Sequence, residues 1–198
     1  MIELVLLSEL KERVGIQGNV TARDDVLQAL IRSVSARVER YIDRQIEKTT
    51  TTEVFDVARN QRVFFLKAYP TTSVTTVHWD SDFAWGSSTL VSSDRYALSN
   101  SGADGMIVFD AGYLSPGENV LKVVYVGGIA DSTEELLALN SDLSDAALRQ
   151  ILNDYNRRLN AGASSVASGG IGSISYQADG GLLTSVKEDL RHYKRYGS

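Results

Sequence analysis

The side chains that most often perform catalysis are few in this sequence. It contains no cysteine and only two histidines, His78 and His192. Neither histidine has a recognisable partner for a catalytic triad or a metal site, so both kinds of site have little support. His78 stands next to Trp79 in a segment typical of a strand, which favours a structural or surface role over catalysis.

Two acidic motifs could bind a cation, but turn formation explains them better. Asp80 and Asp82 form a carboxylate pair within DSDFAWGS, and paired carboxylates serve acid–base chemistry or cation binding. Aspartates in such a stretch also accept hydrogen bonds from nearby backbone, which is the interpretation we favour. Residues 99–105, SNSGADG, lack the ligand spacing and closing glutamate of a calcium loop. The sequence therefore predicts no metal, no cofactor and no enzyme activity.

A glycine-rich stretch near the C-terminus is the other motif that could do chemistry. Residues 162–181, GASSVASGGIGSISYQADGG, contain six glycines. The GGIGS piece matches no phosphate-binding pattern and leads into no helix start, so an anion site is not indicated. Alternation over residues 171–176 predicts a short strand. Because glycine makes ordering costly, we expect a partner to hold this segment.

Composition is that of an ordinary globular protein. Of the 198 residues, 43% are hydrophobic and 23% charged, with a net charge of −5 and a pI near 5.1. This acidic balance argues against tight non-specific binding to nucleic-acid phosphates, which requires clustered lysine and arginine. The N-terminal apolar run lacks a basic leader and is far shorter than the ~20 residues of a membrane span. We expect no membrane segment and synthesis in a reducing cytoplasm.

The elements that position these residues are segregated along the chain. Helical periodicity is predicted near both ends, with Thr21 and Asp24 as a capping-box-like start, over residues 8–14, 24–46, 133–140, 144–161 and 184–198. Short β-rich segments separated by turn signals occupy residues 49–128. The predicted class is α+β: a small helical bundle with an inserted antiparallel β module and a C-terminal extension.

Domain boundaries follow from this order. We assign bundle helices to residues 1–48 and 131–161, the inserted antiparallel β module to 49–130, and the linker with a C-terminal docking helix to 162–198. Alternation within the β module predicts its core as Val54, Val57, Phe64, Leu66, Val74, Val77, Ile107, Phe109, Val123 and Tyr125.

Two surfaces are candidates for partner contact. The C-terminal segment is too short to form an independent helix in water, and it carries an aromatic and apolar stripe that we expect to dock, together with the preceding strand, through Ile171, Ile174, Tyr176, Val186, Leu190, Tyr193 and Tyr196. Arg37, Arg40 and Arg44 recur at helical spacing on the long N-terminal helix. A solvated face with local ion pairs and a charged contact to a neighbouring subunit both remain open for this arginine face.

Several segments, in order, resemble the head-to-tail connector (adaptor, or head-completion) proteins of tailed bacteriophages. They are LIRSVSARVERYIDRQI, YPTTSVTTVHWD, SSDRYALSNSGADGMIVFD, NVLKVVYVGGI and LRQILNDYNRRL. The closing SISYQADGGLLTSVKEDLRHYKRY is similar to the family's C-terminal loop and short basic, aromatic tail. The resemblance covers most of the chain and follows the longer members, in which a β insertion sits between the bundle helices.

The resemblance implies a function. A member of this family would be a structural protein of the virion neck, in a homo-oligomeric ring of twelve subunits beneath the portal protein. The ring would carry the DNA channel toward the stopper and tail-completion proteins without sequence-specific DNA binding. The family contributes no catalytic residues. In a ring, the extended segment could pair with a neighbouring subunit or lie against the portal.

Three other functions remain open. A stopper or tail-terminator of a phage neck is the nearest alternative to an adaptor. A β-rich ligand-binding module, such as a glycan binder, would use Trp79, Phe83, Trp85 and Tyr113 near loops. An enzyme would need an assembled polar pocket, for which the sequence offers no candidate.

Overall fold

The polypeptide passes from one compact unit to another at Asp43 and returns at Asp131. The computed structural model describes residues 2–159, 165–168, 172–175 and 181–194. Met1–Asp43 and Ser132–Lys194 form a helical unit, while Arg44–Asp131 forms a β unit. Within the described residues, helices and small antiparallel sheets together confirm the predicted α+β class.

The helical unit is built on two long amphipathic helices whose apolar stripes face each other. Its elements are α1 (Leu7–Arg13), α2 (Asp24–Ile42), α3 (Thr133–Leu139), α4 (Ser141–Leu159) and α5 (Thr184–Asp189), the last continued by a 3₁₀ turn at Leu190–Tyr193. Side chains at helical spacing are buried from both long helices: Leu27, Leu30, Ile31, Val34, Val38 and Ile42 from α2, and Leu143, Ala147, Leu148, Ile151 and Tyr155 from α4. The α2–α4 contact is the core of this unit.

The N-terminal residues 2–5, which precede α1, lie buried against α2 and α4. Ile2, Leu4 and Val5 are inaccessible or nearly so. The backbone amide of Leu4 donates to the Ser35 hydroxyl at 3.0 Å, and its carbonyl accepts a hydrogen bond from the Ser144 hydroxyl. Two serines on the apolar faces of α2 and α4 thus satisfy backbone groups that water cannot reach.

Three predicted helix limits and one predicted cap are wrong. The C-terminal helix α5 ends at Asp189 and passes into a 3₁₀ turn instead of continuing through residue 198. Residue 43 is left-handed (φ 49°) and ends α2 at Ile42, four residues before the expected end. No side-chain cap forms at its start: the N-cap is Arg23 rather than Thr21, and the Asp24 carboxylate pairs with Lys11 at 2.8 Å. The helix α4 begins at Ser141 rather than at Ser144 or Asp145, and the Ser144 hydroxyl, inside the helix, donates to the Leu4 carbonyl.

The β unit consists of two three-stranded antiparallel sheets that share one core. The strands are β1 (Thr49–Val57), β2 (Val63–Phe65), β3 (Thr71–Trp79), β4 (Tyr96–Leu98), β5 (Met106–Phe109) and β6 (Gly117–Gly127). Their order is β1-β6-β3 in one sheet and β2-β5-β4 in the other. Most paired strands are therefore not consecutive in sequence. The long strand β6 pairs with both β1 and β3, and β4 with β5 is the consecutive pair in these two sheets.

Alternation along the strands predicted most of the core of the β unit. Buried as expected are Val57, Phe64, Leu66, Val77, Ile107, Phe109, Val123 and Tyr125. Val74 is only partly buried. Val54 is wrong: it is 44% exposed, because residues 51, 53, 55 and 57 form the inner row of β1 and Phe55 packs on the core instead.

The segment between β2 and β3 passes through a tight backbone environment. A Cβ on Gly127 would lie 2.0 Å from the Ala68 carbonyl oxygen, and one on Gly105 (φ +68°) would lie 2.7 Å from the Tyr69 ring. These two positions therefore require glycine. The Tyr69 carbonyl in turn accepts two bonds from Arg44, at 2.9 and 2.6 Å.

The two ends of the β unit are joined to each other by backbone pairing. The amides of Ile129 and Ala130 both donate to the Ile46 carbonyl, at 2.8 and 3.1 Å, and Lys48 N donates to Ala130 O at 2.8 Å. The Lys48 ammonium also lies 3.2 Å from the Asp131 carboxylate. Entry and exit of the inserted unit thus lie side by side.

The predicted strand in the glycine-rich stretch exists, but its partner belongs to the same chain. Strand β8 (Gly172–Ser175) pairs antiparallel with β7 (Ser165–Ser168), with Val166 opposite Ile174. Within the described residues this strand therefore forms a two-stranded hairpin, and its contact with a neighbouring subunit or with the portal stays a prediction.

Candidate interaction surfaces

The C-terminal stripe predicted to dock a partner is covered by the protein's own helices. Val186 and Leu190 are fully buried and Tyr193 is 9% exposed, all within the helical unit. Elements α5 and the following 3₁₀ turn pack against α4 and α2. These three side chains are thus part of the core, and whether they also influence partner binding stays a prediction.

A buried glutamine holds the start of this C-terminal segment. Gln150 of α4 is fully buried; its side-chain carbonyl accepts a bond from Leu183 N at 2.7 Å, and its amide donates to Asp154 at 3.0 Å. On α2, the Tyr41 hydroxyl donates to the Lys187 carbonyl at 3.2 Å. The segment is therefore fixed by specific hydrogen bonds as well as by apolar contact.

The end of the segment is tied to the start of α4 through Asp142. The Tyr193 hydroxyl donates to Asp142 Oδ1 at 2.7 Å and accepts from Asn140 Nδ2 at 3.1 Å, while His192 Nε2 lies 3.2 Å from Asp142 Oδ2. Burial by itself raises the pKa of Asp142, but the hydrogen bonds from Tyr193, the Leu143 amide and His192 outweigh it and lower that pKa overall. His192 thus has a structural partner.

The remaining predicted docking residues are described only in part. Ile174 lies in β8 opposite Val166. Ile171, Tyr176 and Tyr196 lie outside the described residues. Their roles stay predictions.

The predicted arginine face divides into three different environments. Arg37 forms an ion pair with Asp154 of α4. Arg40 is exposed on α2. Arg44 lies beyond the end of α2 and belongs to the β unit, where its guanidinium stacks 3.6 Å from the Tyr69 ring centroid. Arg44 is therefore not on the helical face of Arg37 and Arg40, because α2 ends before it. Contact of these arginines with a neighbouring subunit stays a prediction.

A basic groove lies between the C-terminal half of α2 and the start of α5. It has a volume of about 250 Å³ and is lined by Arg37, Arg40, Tyr41, Gly181, Leu182 and Lys187. Each ionisable side chain in this lining other than the tyrosine is a cation. We call this surface the basic groove.

An aromatic loop at the end of β3 is the most exposed apolar feature of the β unit. Both carboxylate oxygens of Asp80 accept backbone bonds, from Asp82 N at 2.8 Å and Trp85 N at 2.9 Å, as predicted for a turn residue. This holds Phe83 (φ 59°) and Trp85 (φ 51°) in the left-handed region with their rings edge to face, Phe83 being 53% exposed. Trp79, Asp80 and Tyr113 line an adjoining cavity of about 230 Å³.

The side chains considered for catalysis or metal binding make structural contacts in the described part of the chain. His78 Nδ1 lies 3.2 Å from the Thr89 hydroxyl, and its ring packs edge-on against Trp85. Throughout the described ranges, no three or more histidine, aspartate or glutamate side chains lie close enough to hold a metal ion. Among the described helices, none has the length and apolarity to cross a lipid bilayer.

Solved structures with the same fold come from phage-like particles. The neck of an empty gene transfer agent particle, computed with C6 symmetry, matches with a TM-score of 0.62 at 15% identity, covering 96% of this chain and 89% of the other. The neck of the native particle, computed with C12 symmetry, gives 0.60 at 16% identity over 95% and 87%. The virion of the native particle gives 0.60 at 16% identity over 96% and 89%. No curated protein sequence matches the chain.

A family model extends over nearly the whole sequence. The model described as head completion protein matches residues 3–196, which include both units and the C-terminal segment. This extent and the shared fold agree with the resemblance seen in the sequence. The chain belongs to the head completion protein family.

Proposed function

We propose that this protein is a head-to-tail connector of the adaptor type, which forms a ring beneath the portal and extends the DNA channel toward the stopper and tail. The observation that carries the proposal is the family match over residues 3–196. Family membership gives the chain a structural role in the neck of a phage-like virion. The finer claims of the proposal need testing: that the protein is an adaptor, that it contacts the portal and that it contacts the stopper.

Assembly as a cyclic homo-oligomer is supported by the related necks. Those particles were computed with C6 and C12 symmetry, and identical subunits around a channel form closed rings through repeated contacts. We propose twelve copies. We expect the free chain to be largely monomeric when dilute and to associate as its concentration rises, with the portal favouring the closed ring.

The docking element is proposed to include the β7–β8 hairpin and the tail beyond residue 194. The apolar stripe of Val186, Leu190 and Tyr193 is already buried, so these side chains serve docking by fixing where the segment leaves the helical unit. Direct contact is assigned to Ile171, Ile174, Tyr176 and Tyr196.

The protein is proposed to act without turnover chemistry and without tight DNA binding. Its histidines and the Asp80 carboxylate are engaged in local structural contacts. The net charge of −5 disfavours adhesion to passing DNA phosphates.

Electron microscopy of the protein mixed with portal rings tests the proposal. We expect a ring of density attached to one end of the portal, coaxial with its channel and with matching rotational symmetry. A protein that leaves portal rings bare but binds tail tubes would instead be a stopper or tail-terminator.

A pair of variants separates docking from folding. A chain lacking residues 195–198 and a second chain with Ile174→Ser both leave the buried stripe intact, so circular dichroism should be unchanged. Co-sedimentation with portal rings should fall in both. Undiminished binding by both folded variants moves the portal contact away from the C-terminal region.

A further inference from the structure

We propose that the basic groove is a lateral interface that receives α3 of the next copy of this chain. The inference rests on the ring assembly proposed above. It deepens that proposal by naming the two surfaces that join neighbouring subunits.

Two cations on the rim of the basic groove have no ion pair among the described residues. Arg37 is paired with Asp154, but neither Arg40 nor the Lys187 ammonium has an ion pair with any described residue. Arg40 is exposed and Lys187 is half-buried. Two positive charges thus flank the groove without a counter-ion from the described part of the chain.

The floor of the basic groove is less polar than its rim. It is formed by Leu182, which is 5% exposed, and by the Tyr41 ring, over which the Lys194 ammonium lies 4.2 Å from the ring centroid. Tyr41 is held in place by its hydrogen bond to the Lys187 carbonyl. An occupant that matches both parts must bring carboxylates for the rim and an aliphatic side chain for the floor.

Helix α3 presents that combination. Its sequence, TEELLAL, contains two glutamates and no basic residue. Glu134 is exposed without an ion pair among the described residues, and Leu139 is 66% exposed, the highest value among the large hydrophobic side chains of the described chain. Glu134 and Leu139 are five residues apart, about 140° around the helix, so they lie at the two edges of its exposed side.

The display on α3 is rigid. Leu136 is fully buried on the side of the helix opposite Glu134 and about 60° from Leu139. Thr133 Oγ1 donates to the Glu3 carbonyl at 2.7 Å. The Ser132 hydroxyl caps the first turn by accepting from Glu135 N at 3.2 Å. Little ordering is needed when this face binds a partner, which favours association.

The two surfaces belong to different elements, as a ring requires. The helix α3 packs on α4, whereas the basic groove is formed by α2 and the start of α5. Joining one to the other in a second copy makes a head-to-tail contact, which repeats from subunit to subunit and closes when the rotation permits. A DNA backbone would satisfy the cations but offers no aliphatic group to the floor.

A charge exchange tests the pairing. In sedimentation velocity over a concentration series up to the solubility limit, Arg40→Glu and Glu134→Lys should each raise the concentration needed for self-association by about tenfold or more, because like charges then face each other. The double variant should recover most of the loss. Arg13→Glu, an exposed arginine of α1, is the control with the same charge change and should have no effect.

Cysteine cross-linking gives a second readout, since the chain has no native cysteine. A chain with Arg40→Cys and Leu139→Cys should form a disulfide-linked ladder of oligomers under mild oxidation, whereas Arg13→Cys with Leu139→Cys should not. Circular dichroism of every variant confirms folding.

Three results would overturn the pairing. Self-association that is indifferent to Arg40→Glu, a double variant without recovery, or a wild-type chain that never self-associates would each do so. Loss of DNA binding in Arg40→Glu with unchanged self-association would assign the groove to nucleic acid instead. Portal-bound rings unaffected by these variants would leave the connector function standing, so the two failures are distinguishable.

Discussion

The hydroxyl of Tyr125 lies between the Glu53 carboxylate and the backbone amide of Ala68. It donates to Glu53 and accepts from Ala68 N at 2.9 Å, while the same Glu53 oxygen accepts from Lys67 N at 2.7 Å. The ring itself is fully buried in the core shared by the two sheets. One phenol thus ties β6 and β1 to the segment that follows β2.

Removing that hydroxyl should destabilise the β unit. Tyr125→Phe leaves the Ala68 amide without its acceptor in a buried place, at a cost of about 1–3 kcal/mol. Urea unfolding followed by tryptophan fluorescence measures this selectively, because Trp79 and Trp85 are the only tryptophans and both lie in the β unit. Tyr113→Phe, at a partly exposed position, is the control and should change little.

The same phenol should make the β unit sensitive to alkali. Burial, followed by the hydrogen bond to Glu53, raises the pKa of Tyr125 in the folded protein. The unfolded chain loses this proton near pH 10, so above that pH the folded state binds more protons and its stability falls. The fall above about pH 10 should be shallower in Tyr125→Phe, and equal slopes in both proteins would contradict the assignment.

Two glycines with similar backbone angles should respond differently to alanine. A Cβ on Gly105 (φ +68°) would lie 2.7 Å from the Tyr69 ring, whereas nothing lies within 4 Å of a Cβ on Gly112 (φ +72°). Both substitutions incur about 1–2 kcal/mol of left-handed strain, and Gly105→Ala adds about 1–3 kcal/mol of overpacking. Unfolding followed by tryptophan fluorescence should give Gly112→Ala a higher free energy of unfolding than Gly105→Ala. The opposite order would show that the Tyr69 ring does not crowd a side chain at residue 105.

The Arg37–Asp154 ion pair should contribute to stability more than a surface pair does. Its side chains are 22% and 16% exposed, and it joins α2 to α4. A double-mutant cycle with alanine at both positions should give a coupling of about 1–3 kcal/mol by circular dichroism. The cycle on Arg95 and Asp110, which are about half exposed, is the comparison and should give less than about 1 kcal/mol.

The C-terminal segment should be required for the fold of the helical unit. Leu190→Ala removes a fully buried side chain and should cost about 2–5 kcal/mol, seen as an earlier loss of helical circular dichroism on heating. Leu139→Ala removes the same atoms from an exposed site and should leave the isolated chain's stability nearly unchanged. Equal effects would place Leu190 outside the core.

Periodicity predicted elements well because each long helix and strand has one face in a core. The stripes from Leu27 on α2 and Ala147 on α4 are buried as expected, and the rows of β5 and β6 are correct. Local patterns did not predict where a buried polar group substitutes for an apolar one. Ser35, Ser144 and Gln150 are buried within helical faces, and each serves the backbone of a distant segment.

The candidate site was harder to predict because an exposed stripe and a covered one look alike in sequence. Val186, Leu190 and Tyr193 have the spacing of a docking helix, yet a short apolar helix is equally suited to completing its own core. In the structure, Leu183 is hydrogen-bonded to Gln150 and Tyr193 to Asp142, and these bonds hold the segment against its own chain. Both partners are more than thirty residues away in sequence, so local patterns could not reveal them. The only available signal was polar Gln150 within the apolar stripe of α4.

The pairing of Ile46 with Ile129 and Ala130 has an evolutionary consequence. A unit whose first and last residues are adjacent behaves as a cassette, since its removal or exchange requires only a short splice and little loop-closure entropy. Ancestral forms could have acquired, enlarged or lost the sheets between Asp43 and Ser132 without a change in the order or packing of the helices. The sequences of the helical unit and of the β unit are then free to diverge at different rates.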